Sequence, residues 1–440
     1  MMRREARPSV GDFSFHSVTL EPSKCTGCTT CIRYCPTEAI RVRKGRASIM
    51  DDRCVDCGEC IRVCPQGAKK AVSDPLAALE RFPVRVALPA PALYGQFDEK
   101  YTVDRILSGL LSLGFTDVVE VAWAAELVAD ATAAWIDAAE DEGPWISSAC
   151  PAVVKLLQVR FPSLLDRLVP VLSPMETAAR AVKERLYPGR PEVGVFFISP
   201  CAAKVTVSRF PQGVSGSAVD GVIGIKDVYL PLRTALPGVE ERPLGSAKAR
   251  GVAWAHIDGE SDAVGNPRGI SVSGIADVIG VFEALENGKM RHVAFIEALA
   301  CPAGCVGGPL TVENPYIARA RIRARERRIQ GLEPRPEPID ARGLGLAWQT
   351  GLEARPALRL HPDMLKAMIM MEEMEQVQAS LPGLDCGSCG APSCRAFAED
   401  VARGQARITD CIFKLRENVR KLAEELIDME RIQPPGLDRD

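Results

Sequence analysis

Two near-copies of a four-cysteine run constrain the fold of this chain more than any other feature. The runs are Cys25-x2-Cys28-x2-Cys31-x3-Cys35-Pro36 and Cys54-x2-Cys57-x2-Cys60-x3-Cys64-Pro65, an internal repeat of about 29 residues. Thiolates at this spacing converge on one cube of iron and sulphur, while the fourth cysteine binds the other cube. The predicted ligand sets are Cys25, Cys28, Cys31 and Cys64 for one [4Fe-4S] cluster, and Cys54, Cys57, Cys60 and Cys35 for the other. Zinc is the alternative, but zinc needs only four sulphurs and does not favour this run twice.

A second group of cysteines lies near the end of the sequence. Its pattern is Cys386-x2-Cys389-x4-Cys394-x16-Cys411. A tight pair, a third ligand at a helix start and a fourth after an apolar-periodic helix can complete one [4Fe-4S] site. Zinc is a stronger alternative here, because a single set of four cysteines is also a zinc pattern. The pattern predicts a small, mainly helical metal-binding domain.

The four remaining cysteines are isolated, and three of them follow short apolar runs. These pairs of run and cysteine are Trp145-Ile146 with Cys150, Val193 to Ile198 with Cys201, and Val293 to Ile296 with Cys301; Cys305 comes next. Such runs, bounded by proline and glycine, are typical of buried strands, and Arg105 to Leu113 and Glu176 to Leu186 have helical periodicity. Sites in α/β domains lie at the carboxyl ends of strands, so these cysteines are expected to converge. Cysteines packed unreactively in a core are the alternative.

Composition excludes several classes of partner. Lys and Arg total 54 against 57 for Asp and Glu, a net charge of −3, which indicates neither nucleic acid nor an anionic membrane surface as a partner. The basic stretch Met1 to Val10 is followed by Gly11 to Ser14 rather than by an apolar segment, which predicts no secretory signal. Acidic residues interrupt the apolar stretch Val118 to Ala139, which predicts no membrane span. We expect a cytoplasmic protein, where clustered cysteines bind metal rather than form disulfides.

The chain resembles known iron-sulphur families in three places. Residues 15 to 75 resemble a bacterial two-[4Fe-4S] ferredoxin, and the last four cysteines resemble the small iron-sulphur domain of corrinoid proteins and ferredoxin-linked electron carriers. The middle of the chain resembles an [FeFe]-hydrogenase catalytic domain. The segments that carry this resemblance are SSACPAVV (Ser147 to Val154), SPCAAK (Ser199 to Lys204) and EALACPAGCVGGPLTVENP (Glu297 to Pro315).

The hydrogenase resemblance implies a composite metal centre. It assigns a further [4Fe-4S] cube to Cys150, Cys201, Cys301 and Cys305. In that family the last of these cysteines bridges the cube to a two-iron unit that carries CO, CN⁻ and an azadithiolate. Lys204 is expected to pair with a buried cyanide ligand, although the residue alone also fits a solvated loop lysine. Gly304, Gly307 and Gly308 are expected to allow close approach to the cofactor.

Several positions depart from the family pattern. Ala149 stands where the family usually has a cysteine that passes protons, whereas Ser173 keeps a relay position. The resemblance also implies that Ala131 and Thr132 replace a pair of glutamates, and that Ser199 and Leu299 replace methionines that flank the two-iron unit. A methyl group cannot exchange protons, so slow turnover is expected. The same departures resemble hydrogenases of the sensory type.

The predicted fold is an α/β multidomain protein with a ferredoxin-like two-cluster domain, a two-lobed α/β hydrogenase-like domain and a small, mainly helical iron-sulphur domain. The predicted boundaries are 1–78 for the ferredoxin domain, 79–330 for the hydrogenase-like domain, 331–360 for a linker rich in Pro and Gly, and 361–440 for the last domain. The six arginines of Ala318 to Arg328 predict a solvated, docked helix. Phe413 to Ile432 carries a heptad stripe, which fits either association with a partner or packing on its own domain.

The leading hypothesis is therefore a low-turnover or H2-sensing hydrogenase, with the reaction H2 ⇌ 2H⁺ + 2e⁻. Its expected catalytic and positioning residues are Cys305, Lys204, Ser173 and Ala149. Expected partners are H2 and protons, a redox partner such as ferredoxin, and self-association or a regulatory protein at the last helix. The alternative is a non-catalytic electron carrier or cluster-assembly protein that has four cubes but never receives the two-iron unit.

Overall fold

A computed structural model describes residues 16–141, 143–333, 335–355 and 357–431. The amino-terminal stretch used to predict the absence of a secretory signal lies outside the described residues, as do Phe15 of the ferredoxin resemblance and Ile432 of the heptad stripe. Within the described ranges, no helix is both long and apolar enough to span a bilayer. The cytoplasmic location stays a prediction.

Strands and helices alternate through most of the described chain. The strands are β1 (Val18–Leu20), β2 (Ile40–Arg43), β3 (Arg46–Ile49), β4 (Lys69–Ala71), β5 (Val84–Pro89), β6 (Asp117–Val118), β7 (Trp145–Ile146), β8 (Val193–Ser199), β9 (Gly221–Gly224), β10 (Gly269–Ser273) and β11 (Phe295–Leu299). The α-helices are α1 (Thr30–Arg33), α2 (Glu59–Arg62), α3 (Val103–Ser112), α4 (Val121–Ala138), α5 (Pro151–Arg160), α6 (Pro174–Ala181), α7 (Ala202–Arg209), α8 (Ile225–Ala235), α9 (Ala249–Ala253), α10 (Gly259–Val264), α11 (Ile275–Glu286), α12 (Pro315–Gln330), α13 (Met364–Ser380), α14 (Cys394–Ala402) and α15 (Ile412–Arg431). Short 3₁₀ segments are Leu76–Arg81, Pro91–Gln96, Pro162–Arg167, Leu236–Gly238, Cys305–Gly307 and Ile408–Asp410, and Val182–Leu186 is a π-helical turn.

The chain forms two compact units that do not follow the order of the sequence. The larger unit contains Cys54–Arg62, Lys69–Arg355 and the described part of Met1–Thr19, whereas the smaller unit contains Leu20–Arg53, Val63–Ala68 and the described part of Pro356–Asp440. The ferredoxin repeat therefore contributes residues to both units. The predicted domain boundaries stay a prediction.

Two parallel sheets form the larger unit, in agreement with the predicted α/β class. One sheet has the order β6-β5-β8-β9, and the other has the order β10-β11-β7. The strands of both sheets pair in parallel, so their carboxyl ends lie at the same edge. β7, β8 and β11 each end shortly before a cysteine, namely Cys150, Cys201 and Cys301. The expectation that three cysteines follow strand ends is confirmed.

The position of β11 differs from the predicted run. Hydropathy predicted a strand over Val293 to Ile296, but the strand starts at Phe295 and continues through Glu297 to Leu299. An acidic residue does not end the strand, because the Glu297 carboxylate accepts hydrogen bonds from the Ser261 amide and the Ser271 hydroxyl, each at 3.0 Å. A buried carboxylate with such donors is compatible with a central strand.

The arginine-rich helix α12 is docked, as predicted, but one of its arginines is not solvated. Ala318 and Ile322 are fully buried, and Arg325 is only 3% exposed. Its guanidinium donates to the carbonyl oxygens of Phe97 at 3.1 Å and Asp98 at 3.0 Å. Arg325 therefore binds main-chain carbonyl groups of a turn. The number of arginines in the sequence of this helix could not distinguish a buried arginine from a solvated one.

The smaller unit joins the first cysteine run to the terminal helices. The amide of Val42 in β2 donates to the carbonyl of Gly390 at 2.8 Å, and a Cβ on Gly390 would lie 1.8 Å from the Val42 oxygen. Asp400 on α14 accepts hydrogen bonds from Arg41 at 2.7 Å and from Arg43 at 2.6 Å, with its side chain only 3% exposed. A buried, multiply bonded carboxylate of this kind fixes α14 against the β2-β3 hairpin.

A pair of buried carboxyl groups joins α10 to β11 in the larger unit. Glu260 accepts a hydrogen bond from the Ser147 hydroxyl at 2.6 Å. Burial, with a further contribution from the charge of Glu297, raises the pKa of Glu260 to about 8. Burial likewise raises the pKa of Glu297 to about 7. Near neutral pH the pair therefore shares at least one proton that the unfolded chain would not hold.

This pair predicts that the protein loses stability as the pH rises from 6 to 9. The folded state binds protons that the unfolded state has already released, so the stabilisation is complete below the unfolded-state pKa values and is lost through pH 7 to 8. One such group changes the unfolding free energy by up to about 1.4 kcal/mol per pH unit. The measurement is the midpoint of anaerobic thermal unfolding across this range. Glu260→Gln should flatten the dependence, whereas Glu240→Gln at an exposed position should not; equal slopes for all three proteins would contradict the prediction.

Candidate metal centre

Four cysteines are carried to one place by three separate loops. Cys150 and Cys201 are the residues that cap the amino ends of α5 and α7, while Cys301 and Cys305 flank a turn after β11. Burial raises the pKa of the Cys201 thiol to about 12, and the neighbouring Cys301 and Cys150 contribute to the same rise. Burial followed by the charges of the other three cysteines also raises the pKa of Cys305. The sulphurs therefore lie close enough to repel one another as thiolates, which a bound metal group would relieve.

The turn between Cys301 and Cys305 depends on a glycine. Gly304 has a φ of 92°, and a Cβ there would lie 2.6 Å from the Ile257 amide nitrogen. A Cβ on Gly308 would lie 2.2 Å from the Pro200 carbonyl. The structure shows that Gly304 and Gly308 allow the cysteine turn to pack against neighbouring main chain. Their expected role in close approach to a cofactor stays a prediction.

Lys204 extends from the first turn of α7 toward this cysteine group. Its ammonium donates to the Ala149 carbonyl at 3.1 Å, and burial lowers the pKa of the lysine. Lys204 lies on a helix and its side chain is half-buried, which does not fit a solvated loop lysine. An ammonium has three donors, and the Ala149 carbonyl uses one of them, so this group is suited to an anionic ligand.

A small pocket of about 20 Å³ lies beside Lys204. Its wall includes Ser148, Ala149, Ser173, Glu176, Lys204 and Trp348. Ala149 and Ser173 were predicted from the sequence, but Glu176 and Trp348 were not. Glu176 is buried and accepts from the Ser217 hydroxyl at 2.7 Å and the Ala218 amide at 2.9 Å. Trp348 comes from the segment predicted as a linker, which packs on the larger unit through a hydrogen bond from its own amide to Pro170.

The other departures from the family pattern have ordinary structural roles. The Ser199 hydroxyl accepts from the Cys201 amide at 3.1 Å and donates to the Cys201 carbonyl at 2.9 Å, so it supports the cysteine loop. Leu299 is buried at the end of β11. Ala131 and Thr132 lie on α4, where Thr132 is buried.

One carboxylate on α4 was missed by the sequence reasoning. Glu126, which was noted only as an interruption of an apolar stretch, is buried and accepts a hydrogen bond from the Lys248 amide at 2.6 Å. Burial raises its pKa. The signal that could have found it is an acid within the apolar first half of the helix, Val121 to Ala129, since such a residue needs a specific partner.

The terminal cysteines line a second small pocket, of about 20 Å³. All four of them contribute to its wall: Cys386, Cys389, Cys394 and Cys411. The Asp385 carboxylate accepts from the amide at the start of α14 at 2.6 Å and so fixes this loop. Four cysteines around one pocket fit a single metal group, and their assignment as ligands of a [4Fe-4S] cube stays a prediction.

The ferredoxin repeat is also visible in the backbone. Gly27 and Asp56 occupy the left-handed region, as do Thr29 and Gly58 at the next equivalent positions. The Ala47 amide, on β3 after the first run, donates to the Cys25 sulphur at 3.5 Å. Amides directed at thiolates stabilise an anionic cluster, and the two runs share the same loop shape. The assignment of each ligand to a cube stays a prediction.

Three family models match the chain. The iron-only hydrogenase large subunit, C-terminal domain, matches residues 84–309. A 4Fe-4S dicluster domain matches residues 21–68, and a model described as an Fe-S cluster matches residues 381–413. The matched ranges contain all sixteen cysteines. The protein is therefore an iron-sulphur protein, as predicted.

Curated proteins and solved structures resemble this chain to different extents. The chain is 27% identical over 405 residues to the periplasmic [Fe] hydrogenase large subunit of Nitratidesulfovibrio vulgaris, covering 74% of this chain and 94% of that protein. It is 44% identical over 64 residues to one component of the ion-translocating oxidoreductase complex of Thiobacillus denitrificans, of which it spans only 32%. An [FeFe]-hydrogenase structure from Chlamydomonas reinhardtii is similar with a TM-score of 0.46 and 16% identity, covering 56% of this chain and 87% of that one.

The hydrogenase model covers half of the chain, and it includes each of the three loops that bring Cys150, Cys201, Cys301 and Cys305 together. The two iron-sulphur models lie on either side of it. This chain accordingly belongs to the iron-only, or [FeFe], hydrogenase large-subunit family and has a ferredoxin domain before its hydrogenase domain.

Proposed function

We propose that this protein is a low-turnover hydrogenase that senses H2 through the reaction H2 ⇌ 2H⁺ + 2e⁻. The observation that supports the proposal is the half-buried Lys204 ammonium beside a pocket, next to four converging cysteines. A partly desolvated ammonium is stabilised by negative charge, and an anionic ligand of the two-iron group would add to the charges of Glu176 and the cysteines there. Ala149 lines the same pocket and offers only a methyl group, so proton supply would limit the rate.

The residues of this chain fit the expected two-iron group. Cys305 would hold it, Lys204 would donate to one of its anionic ligands, and the group would supply the site where H2 is split or formed. Ser173 places a hydroxyl in the pocket wall, and Ser147 connects the adjacent loop to the protonated carboxyl pair at Glu260. These groups offer a slower proton supply than a thiol at position 149 would, which suits a reporter of H2 rather than a bulk producer.

A second candidate function has a specific observation in its favour. Part of the chain is similar to a component of an ion-translocating oxidoreductase complex, and that match covers only 14% of this chain. A protein with four cubes and no two-iron group would act as an electron carrier or in cluster assembly. In either case we propose a redox partner such as a ferredoxin, and a cytoplasmic location that keeps the thiols reduced.

Iron content and infrared bands distinguish the two candidates. Protein matured anaerobically with the two-iron precursor should bind about 18 iron atoms per chain, against about 16 for four cubes alone. CO and CN⁻ stretching bands should appear in the matured protein. Cys305→Ala should remove these bands, whereas Ser163→Ala at an exposed position should keep them. Full cube content without the bands in the unmodified protein would exclude the hydrogenase and favour the electron-carrier or cluster-assembly function.

Restoring a thiol tests the limit on proton supply. Ala149→Cys should raise H2 evolution from a reduced viologen dye by about 10²-fold, the usual contribution of one positioned acid-base group. Ala149→Ser is the matched control, because it adds a group of similar size that is a far weaker acid. Equal rates for all three proteins, each shown to contain the two-iron group, would mean that proton transfer at this position does not limit turnover.

The last helix is the proposed site of association. α15 has no buried residue among Ile412–Arg431. The heptad stripe is 46% to 60% exposed along its length, at Leu415, Val419, Leu422, Leu426 and Met429. Ile412, which is 40% exposed, extends it by one position toward the amino end. Within the described residues, this stripe is therefore not packed on its own unit. An uncovered stripe of this kind is stabilised by a second helix.

Charge favours a second copy of this chain in the antiparallel direction. Antiparallel pairing places Val419 of one copy opposite Leu422 of the other, and continues the same alternation to both ends of the stripe. It also brings Arg416 toward Glu430 on one flank. Parallel pairing would instead bring Glu425 toward Glu430, which repel. We therefore propose an antiparallel pair of α15 helices.

Replacing Leu422 and Leu426 with Lys should convert the dimer to a monomer in sedimentation measurements. Glu424→Lys, on the opposite face of the helix, should leave the dimer intact. A monomeric unmodified protein would overturn the proposal, and capture of a regulatory protein by that monomer would assign the stripe to it. An unchanged dimer with a labile terminal cluster would show that the stripe packs internally.

A further inference from the structure

The two halves of the ferredoxin repeat carry an arginine at the same place. Cys31-Ile32-Arg33 and Cys60-Ile61-Arg62 are equivalent, and each arginine ends a one-turn helix. Neither arginine is among the predicted ligands of the cubes in its own repeat. Each donates instead to a cysteine-bearing loop from a distant part of the chain, and the two loops belong to different predicted clusters.

Arg62 contacts the turn that carries the last two cysteines of the hydrogenase domain. One terminal nitrogen of its guanidinium lies 3.8 Å from the Cys301 sulphur and 3.4 Å from the Gly307 carbonyl. The other donates to the Cys57 carbonyl at 3.2 Å and to the Glu59 carboxylate at 2.8 Å. The guanidinium therefore lies between the second cysteine run and a sulphur of the hydrogenase cube.

The loop that carries Arg62 is held firmly in place. Asp56 is buried, and its carboxylate accepts from Lys155 on α5 at 2.7 Å and from Thr206 on α7 at 2.8 Å. A Cβ on Gly58 would lie 2.6 Å from the Pro309 ring, so the chain is closely packed there as well. Since α5 and α7 begin directly after Cys150 and Cys201, the position of Arg62 is fixed relative to the cysteine group.

Arg33 makes a different contact. It donates to the Cys386 carbonyl at 3.2 Å, which joins the first run to the terminal cysteines within the smaller unit. This acceptor is a main-chain oxygen, whereas Arg62 also reaches a sulphur. A cation that donates to a ligand sulphur acts on the charge of the cluster directly, while one that donates to a carbonyl chiefly fixes the loop.

We propose that Arg62 is a positioning residue for electron transfer, which raises the reduction potential of the cube held by Cys150, Cys201, Cys301 and Cys305. A guanidinium stays protonated at all working pH values and stabilises the extra negative charge of a reduced cluster. The step is transfer of one electron from a reduced ferredoxin cube, which is oxidised, to the hydrogenase cube, which is reduced. No bond forms or breaks, and no proton moves.

Glu59 makes the sign of this effect testable. Its carboxylate binds the side of the guanidinium away from Cys301 and offsets part of the positive charge. Removing the arginine charge should lower the potential of the hydrogenase cube, and removing the glutamate charge should raise it. A purely structural role for this ion pair would give the same direction for both changes, because either one breaks it.

The test is a redox titration monitored by electron paramagnetic resonance, on full-length protein loaded with cubes but without the two-iron group. The signal of the hydrogenase cube is identified by its loss in Cys201→Ser. Arg62→Gln should lower its midpoint by about 59 mV, which is a tenfold change in the ratio of oxidised to reduced cube for one electron. Glu59→Gln should raise the midpoint, and Arg62→Lys should retain most of the original value. Arg33→Gln is the matched control and should leave it unchanged.

The same midpoint in Arg62→Gln and in the unmodified protein would overturn the proposal. Shifts in one direction for both Arg62→Gln and Glu59→Gln would also overturn it. If Arg62→Gln fails to hold the cube, Arg62→Lys and Glu59→Gln still decide between charge and structure. The proposal depends on the cubes alone, so it survives if the two-iron group and the hydrogenase activity are shown to be absent.

Discussion

The cost of ionising four neighbouring cysteines is the constraint that shapes the site in the larger unit. Cys150, Cys201, Cys301 and Cys305 come from three loops, and each raises the cost of ionising its neighbours. The four can all become thiolates only when a cation or metal cluster compensates their charge, because an uncompensated charge in a poorly solvated site is expensive. The parallel sheets, the glycine turn and the close backbone contacts all hold the sulphurs where that compensation can occur. The half-buried Lys204 ammonium beside them supplies one positive charge of this kind.

The cysteine spacing and the short apolar runs predicted most of what positions the site. β7 matched its predicted run, and β8 extended its run by a single residue, Ser199. Runs of this kind are informative because a strand buried on both faces must be apolar throughout. The predicted end of β11 was wrong, because a charged residue after an apolar run usually marks the end of a strand. Glu297 could be placed inside the strand only if its hydrogen-bond partners were known. Those partners, Ser261 and Ser271, are distant enough in sequence that no local pattern reveals them.

Residues that act through distant polar contacts were the ones that sequence reasoning missed. Trp348 reaches the pocket beside Lys204 from a segment rich in Pro and Gly, and Arg62 reaches Cys301 across more than half of the chain. Composition predicts that such segments are solvated, since charge and proline are usually external. The repeat did contain a usable signal, because the same Cys-Ile-Arg triplet occurs in both halves. Its meaning required knowledge of what each arginine touches.

The smaller unit has a consequence for the order in which this protein is made. Its β2-β3 hairpin packs against Asp400 and Gly390, which are synthesised more than 300 residues later. During translation the first cysteine run therefore lacks these contacts until nearly the whole chain has left the ribosome. A cluster inserted before then would lack part of its surrounding protein and would be exposed to water and oxygen. Vectorial synthesis thus favours insertion of the first and terminal clusters late, after release of the finished polypeptide.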